Sequence, residues 1–264
     1  MRATKTTAKN SVQKLALLAC VLMLSACGKE AVTSAPAAAP QKEVAVVTPA
    51  PAVPAVAPKR VVDQLITAET IGMNLAYVDK IAGPAVRSEA HRHLYRVDGC
   101  EVTLRSDDAD KVVQAVEVAI APSCQVSLEP LMGSFAGTPP LQLNALTFGK
   151  LEQVLGGGYY ADCLASCGNA ADPVVTLYVE GPRALQLMEF ALEAPLVNGP
   201  ALEAADQWKQ AMEKAESEHY VLDNRFNCEP ERFRDVAAAA FASVKPANFV
   251  FGRGLDYQEG DCGD

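Results

Sequence analysis

Apolar residues recur along this chain in two rhythms, and the changes of rhythm divide it. Over 72–81 the run Gly-Met-Asn-Leu-Ala-Tyr-Val-Asp-Lys-Ile places Leu75, Val78 and Ile81 on one helical face, and Gly83-Pro84 stops it. After a polar gap the pattern shortens to period two. Strands are predicted over 93–97, 100–105 and 112–121; Cys100, Val102 and Leu104 alternate as in a half-buried strand, and Asp98-Gly99 is a two-residue hairpin signal.

A second run of the same order begins at Leu146. Phe148, Leu151 and Leu155 make a helical stripe ended by Gly156-Gly157-Gly158, and a cysteine-bearing loop follows. Val174 to Val179 then alternates as a strand, Glu180-Gly181-Pro182 turns, and 185–192 reads as the returning strand. Further on, Leu202, Ala205, Trp208, Met212 and Ala215 predict a helix within 200–218. Phe233, Val236, Ala237, Ala240, Phe241 and Val244 predict another within 229–244, ended by Lys245-Pro246. The expected fold is α+β: helix-plus-antiparallel-sheet units in tandem over 59–130 and 131–197, then two C-terminal helices and a loop tail over 198–264.

The stretch before residue 59 has neither rhythm. Residues 31–58 are mostly Ala, Val and Pro, with prolines at 36, 40, 49, 51, 54 and 58, the composition of an extended tether. Ahead of it lie a basic start (Arg2, Lys5, Lys9, Lys14), an apolar run from Leu15 to Leu24 too short to span a bilayer, and Leu24-Ser25-Ala26-Cys27. This order resembles the lipobox of bacterial lipoproteins. The resemblance implies a signal peptide over 1–26, acyl chains such as palmitate on Cys27, and an anchored tether over 27–58. Gly28 rather than Asp follows the cysteine, which in that family implies the periplasmic face of the outer membrane.

The formal charge is −9; the signal holds four basic and no acidic residues, so −9 − 4 leaves −13 on the remainder. That balance sets aside nucleic acid and favours a soluble, self-repelling surface, as most such charge is solvated, or a cationic partner. Of eight cysteines, setting aside Cys20 and Cys27 leaves Cys100, Cys124, Cys163, Cys167, Cys228 and Cys262, an even set suited to an oxidising compartment. Six cysteines allow about 15 pairings. The sequential one, 100 with 124, 163 with 167 and 228 with 262, is preferred because each pair falls inside one local unit.

Ile71-Gly72-Met73 opening a helix, Val78 within it, Gly83-Pro84 after it and strands ending near Ile120 resemble the helix-strand modules of the BamE outer-membrane assembly lipoproteins and of the beta-lactamase inhibitor proteins, the latter built of two tandem copies. The second unit departs from this pattern. Gly149 precedes Lys150 rather than Met, three glycines replace Gly-Pro, and Cys163-x-x-x-Cys167 is inserted. The resemblance implies a role in envelope assembly or in inhibition of an envelope enzyme.

Catalytic and metal chemistry find weaker support. His91 and His93 share a polar loop and His219 is remote; with the cysteines oxidised too few ligands remain for zinc or copper, and no metal or cofactor is expected. Cys163 and Cys167 are spaced by three rather than two, and the following Gly168-Asn169 and Asp172-Pro173 are turn-formers, so a structural bridge is expected rather than a redox pair. No Gly-x-Ser-x-Gly occurs, and Asp107, Asp108 and Asp110 lack the glycine and terminal glutamate of a calcium loop. No residue is therefore assigned a catalytic role. Tyr159, Tyr160 and Asn169, beside the short cysteine loop, are the candidate contact residues, one tyrosine facing the core and the other solvent.

The expectation is a lipid-anchored periplasmic protein that binds another envelope protein, as an inhibitor or immunity-like factor or as an assembly accessory. The alternative is an envelope hydrolase or thiol-redox enzyme, which requires a concave pocket with convergent carboxylates, histidine or free thiol.

Overall fold

The computed structural model describes residues 59–135, 137, 139–168, 172–181, 187–255, 257 and 262. They form a mixed α+β body in which one eight-stranded antiparallel sheet carries its helices on one side. Helix α1 (Val62–Leu65) leads into α2 (Leu75–Ala82), followed by strands β1 (Arg87–Glu89), β2 (Arg92–Val97), β3 (Cys100–Ser106) and β4 (Val113–Ala119). After α3 (Glu129–Met132) come α4 (Phe148–Leu155), β5 (Gly158–Ala161), β6 (Val174–Glu180) and β7 (Glu189–Pro195). Helices α5 (Gly199–Ala215), α6 (Glu218–Leu222) and α7 (Arg234–Phe241) precede a last strand, β8 (Asn248–Gly252).

Local chemistry explains the helix and turn boundaries. Asn74 caps α2 by accepting from the Ala76 N–H at 2.9 Å, and Thr147 caps α4 by accepting from Lys150 at 3.3 Å. Gly83 and Gly156 end these helices at φ of 81° and 74°, a conformation that favours glycine. Asp98 and Gly99 both take positive φ in the β2–β3 turn, as a two-residue hairpin with a right-handed twist requires.

The strand order is β1-β2-β3-β4-β8-β7-β6-β5. The central strand comes from Asn-Phe-Val-Phe-Gly, which sequence reasoning passed over between a predicted helix and a predicted tail. The returning strand also lies further on than expected, at Glu189–Pro195 rather than 185–192. Because β8 pairs with both β4 and β7, the boundaries expected near 130 and 197 fall within one sheet. Two antiparallel runs of four strands, β1–β4 and β5–β8, meet at the centre through their last strands, β4 and β8. Strands β4 and β7 are each antiparallel to β8 and so parallel to one another. The first meander approaches β8 from one edge and the second from the other. Because β4 and β8 run antiparallel side by side at the centre, strand order and polarity read the same from either edge of the sheet.

The helix side holds the core. Val102, Leu104, Val116, Val118, Phe249, Phe251, Phe190, Leu192, Val175 and Leu177 line the sheet and are fully buried. An aromatic cluster joins the layers: Tyr159 of β5 stacks on Phe148 of α4 and Phe241 of α7, and meets Trp208 of α5 edge-on. Tyr95 Oη of β2 donates to Asp79 of α2 at 3.0 Å. Three disulfides close 100 with 124, 163 with 167 and 228 with 262, the sequential set. Among the described residues no helix is long and apolar enough to cross a membrane.

Candidate binding face

Strand alternation sends every second side chain to the side without helices. On β2 and β3 these are Arg92, Leu94, Arg96, Glu101, Thr103 and Arg105; on β4 they are Ala115, Glu117 and Ala119. With Arg87 and Glu89 of β1, several of them border two hollows at opposite ends of the β2–β3 hairpin. One, of about 370 Å³, is bounded by Arg87, Glu89, Arg92, Leu94 and Thr103. The other, of about 410 Å³, is bounded by Arg96, Glu101, Ala119 and Ser123. The first is an open trough holding the cross-strand pair Leu94 and Thr103, and Arg96 and Glu101 stand next along the same two strands.

The walls of the trough are ion-paired. Glu117 accepts from Arg92 at 2.7 Å and from Arg105 at 2.8 Å; Arg96 pairs with Glu101 at 2.8 Å, and Arg87 with Glu89. Burial alone raises the Glu117 pKa, but the two guanidiniums outweigh it and hold the carboxyl below its usual range. Four arginines face three glutamates here, so the face differs from the acidic chain as a whole. It is suited to a partner surface of mixed charge, read by geometry more than by net attraction.

The other half of the same side is covered. Ala115, Ala191 and Val250 are buried beneath Leu255 and Tyr257, which follow β8 and turn back over the sheet. Tyr257 packs on Tyr178 with ring centroids 5.7 Å apart.

The expected contact residues do not form a surface. Tyr159 and Tyr160 do point to opposite sides of β5, yet neither is exposed. Tyr159 is 0 % exposed within the aromatic core, and Tyr160 is 6 % exposed, edge-on to Tyr178. Sequence alternation gave their directions correctly; it does not reveal that both sides of β5 are packed. Asn169 and Cys27 lie outside the described residues.

The histidines have a partner that sequence reasoning kept separate. The β3–β4 turn brings Asp110 back to the β1–β2 turn, where His91 Nδ1 lies 2.8 Å from Asp110 Oδ1; His93, expected in the same loop, lies instead in β2 with Nε2 3.4 Å from that oxygen. Ser106 donates to the same oxygen at 2.6 Å, and Ser88 Oγ lies 2.9 Å from His93 Nδ1. Hydrogen bonds from Ser106 first and His91 second lower the Asp110 pKa to about 2; Asp110 in turn raises that of His91. Among the described residues no group of three or more His, Cys, Asp or Glu side chains is arranged to hold a metal ion. Cys163 and Cys167 are joined between β5 and β6, and His219 lies in α6.

Compared with known families, curated proteins and solved structures, the chain finds no match to a family model, to a curated sequence or to a solved fold.

Proposed function

We propose that this chain is a lipid-anchored periplasmic binding protein that docks another envelope protein on the helix-free face of its sheet. The observation that carries the reading is the one-sided layering: eight strands with all their helices on one side, and on the other a trough floored by Leu94 and Thr103 between arginine–glutamate pairs. Shallow, partly apolar ground ringed by charge is the usual make-up of a protein interface. Three disulfides support the oxidising compartment. The lipobox-like Leu24-Ser25-Ala26-Cys27 supports the anchor, and the Ala/Pro-rich tether supplies reach.

The partner is a basic envelope enzyme, which makes the chain an inhibitor or immunity-like factor, or a component of an outer-membrane complex, which makes it an assembly accessory. Capture from periplasmic extract separates the two by what is recovered. Leu94→Glu puts a charge into the trough floor and should lower recovery at least tenfold, while Glu203→Lys on the exposed side of α5 leaves it unchanged; equal recovery with Leu94→Glu contradicts the docking face. Cys27→Ser should release the chain from the membrane fraction, and unchanged fractionation contradicts the anchor.

One specific cluster favours the second reading, a hydrolase. Ser88, His93 and Asp110 make a hydroxyl–imidazole–carboxylate relay, with Nδ1 on the serine and Nε2 toward the carboxylate. Under that reading a fluorophosphonate probe labels Ser88 and Ser88→Ala abolishes labelling; an unlabelled wild-type chain removes it.

A further inference from the structure

The covered half of the helix-free face holds a ligand-like segment of the chain itself. Beyond β8, the Gly254 and Leu255 N–H groups donate to the two carboxylate oxygens of Glu189, at 3.1 and 2.5 Å. The Leu255 side chain is 8 % exposed against Ala115, Ala191 and Val250. Tyr257 lays its ring on Tyr178 and donates its hydroxyl to Glu193 at 2.5 Å, with Arg105 beside it. A glutamate reading two backbone N–H groups, an apolar floor under an aliphatic side chain, and a second glutamate reading a phenol are what a peptide-binding site uses. Arg253 N–H donates to the Gln114 carbonyl of β4 at 3.2 Å, and Leu255 and Tyr257 are then held by the side chains of Glu189 and Glu193.

The segment is tied down by a bridge unlike the one in the core. Cys100 and Cys124 are 2 % and 0 % exposed, whereas Cys262 is exposed and its partner Cys228 half-buried. Cys228 follows the short turn Arg225–Asn227, and the Asn227 side chain is bonded to the edge strand at Ala161. The chain therefore leaves the sheet at its central strand and is fastened at its far edge. An accessible disulfide is open to thiolate attack; a buried one is not.

We propose that Arg253–Leu255 and Tyr257 form a strap that acts as an intramolecular ligand, occupying a site whose other occupant is an extended partner segment carrying an aliphatic residue followed, two positions on, by a tyrosine. Opening Cys228–Cys262 releases it. A dithiol reductant of the envelope supplies the two electrons. Its thiolate attacks Cys262 Sγ and Cys228 leaves as a thiolate; the second thiol then resolves the mixed disulfide, leaving two cysteine thiols here and one disulfide on the reductant.

Size gives the exchange a purpose. Eight strands about 4.8 Å apart, each advancing about 3.4 Å per residue, present roughly 800 Å². A stable interface takes about that much from each partner. The open half alone offers roughly half of it, the range of transient contacts, so strap release converts a weak docking face into a full one. This use rests on the docking reading above; the strap and its site are tested on the isolated protein.

The probe is a fluorescent pentapeptide with the sequence of residues 253–257, titrated into the oxidised full chain and into Cys262→Ser, with the fold of each verified from the fluorescence of buried Trp208. Binding at least tenfold tighter to Cys262→Ser, weakened severalfold by adding Glu193→Gln, is the expected result. Hydrogen exchange at the Gly254 and Leu255 amides should quicken in the same variant and in the wild-type chain after mild reduction. Equal exchange in the oxidised and opened forms overturns the latch; faster exchange without peptide binding overturns the site. Failure to capture an envelope partner touches neither result.

Discussion

Asn227 pairs with Ala161 as a neighbouring strand would. Its Oδ1 accepts from the Ala161 N–H at 3.1 Å and its Nδ2 donates to the Ala161 carbonyl at 2.9 Å, 66 positions away in the chain. One side chain thus occupies the open side of β5, where an unpaired edge invites association with other chains. Asn227→Ala leaves both backbone groups in a largely buried place without partners, and should cost about 2–4 kcal/mol. Urea denaturation of the two proteins measures it; a loss below about 0.5 kcal/mol means that water serves the edge equally well.

Tyr159 should be improved by losing its hydroxyl. The oxygen is buried without a hydrogen-bond partner among the described residues, and burial pushes the phenol pKa up. Tyr159→Phe keeps the ring stacks and removes a polar atom, so the melting temperature should hold or rise. Tyr159→Ala empties the cluster and should cost about 3–5 kcal/mol. A marked fall for the phenylalanine variant in calorimetry contradicts this account of the core.

Helices α4 and α7 cross so closely that Gly149 has no room for a side chain. A Cβ there would lie 2.7 Å from the carbonyl oxygen of Ala242. Alanine favours a helix over glycine by about 1 kcal/mol, but the backbone contact forces the helices apart at about 1–3 kcal/mol. Crowding wins, and Gly149→Ala should lower the urea midpoint; a raised midpoint means the helices separate freely.

The β1–β2 turn should respond to pH. Ala90 and His91 both take positive φ in a two-residue turn that favours Asn-Gly, and the His91–Asp110 pair supports it. The His91 pKa is raised above 6.5 by Asp110, so its contribution is full below 6.5 and is lost as pH rises through the raised value. The Asp110 pKa falls from 3.8 to about 2, so its contribution is present above 3.8 and disappears as pH falls toward 2. An NMR titration should place the His91 midpoint above 6.5 and return it to the ordinary value in Asp110→Asn. Coincident midpoints in the two proteins contradict the pairing.

The parts of this fold readable from sequence are those set by short-range pattern. The Phe148–Leu155 helix shows its stripe and glycine stop, and Asp98-Gly99 announces its hairpin. Strand β8 was not readable that way: five residues, apolar on both faces, show no alternation, and the strand acquires its meaning only from two neighbours more than 50 positions away. The same limit hid the candidate face. Leu94 and Thr103 are ordinary strand residues until the topology leaves their side without helices. Tyr159 and Tyr160 drew attention as an aromatic pair, yet β5 is packed on both sides. Asp110 and the two histidines were each visible, and only the turn geometry joins them.

The central claim is that the helix-free face docks an envelope protein. A photo-crosslinking amino acid at Thr103, in the floor of the trough, compared with one at Glu203 on exposed α5, tests it most directly in intact cells. The account predicts a discrete protein adduct from position 103 that is absent from 203 and is lost when Leu94→Glu is added. Adducts from 203 alone, or none from 103, would contradict it.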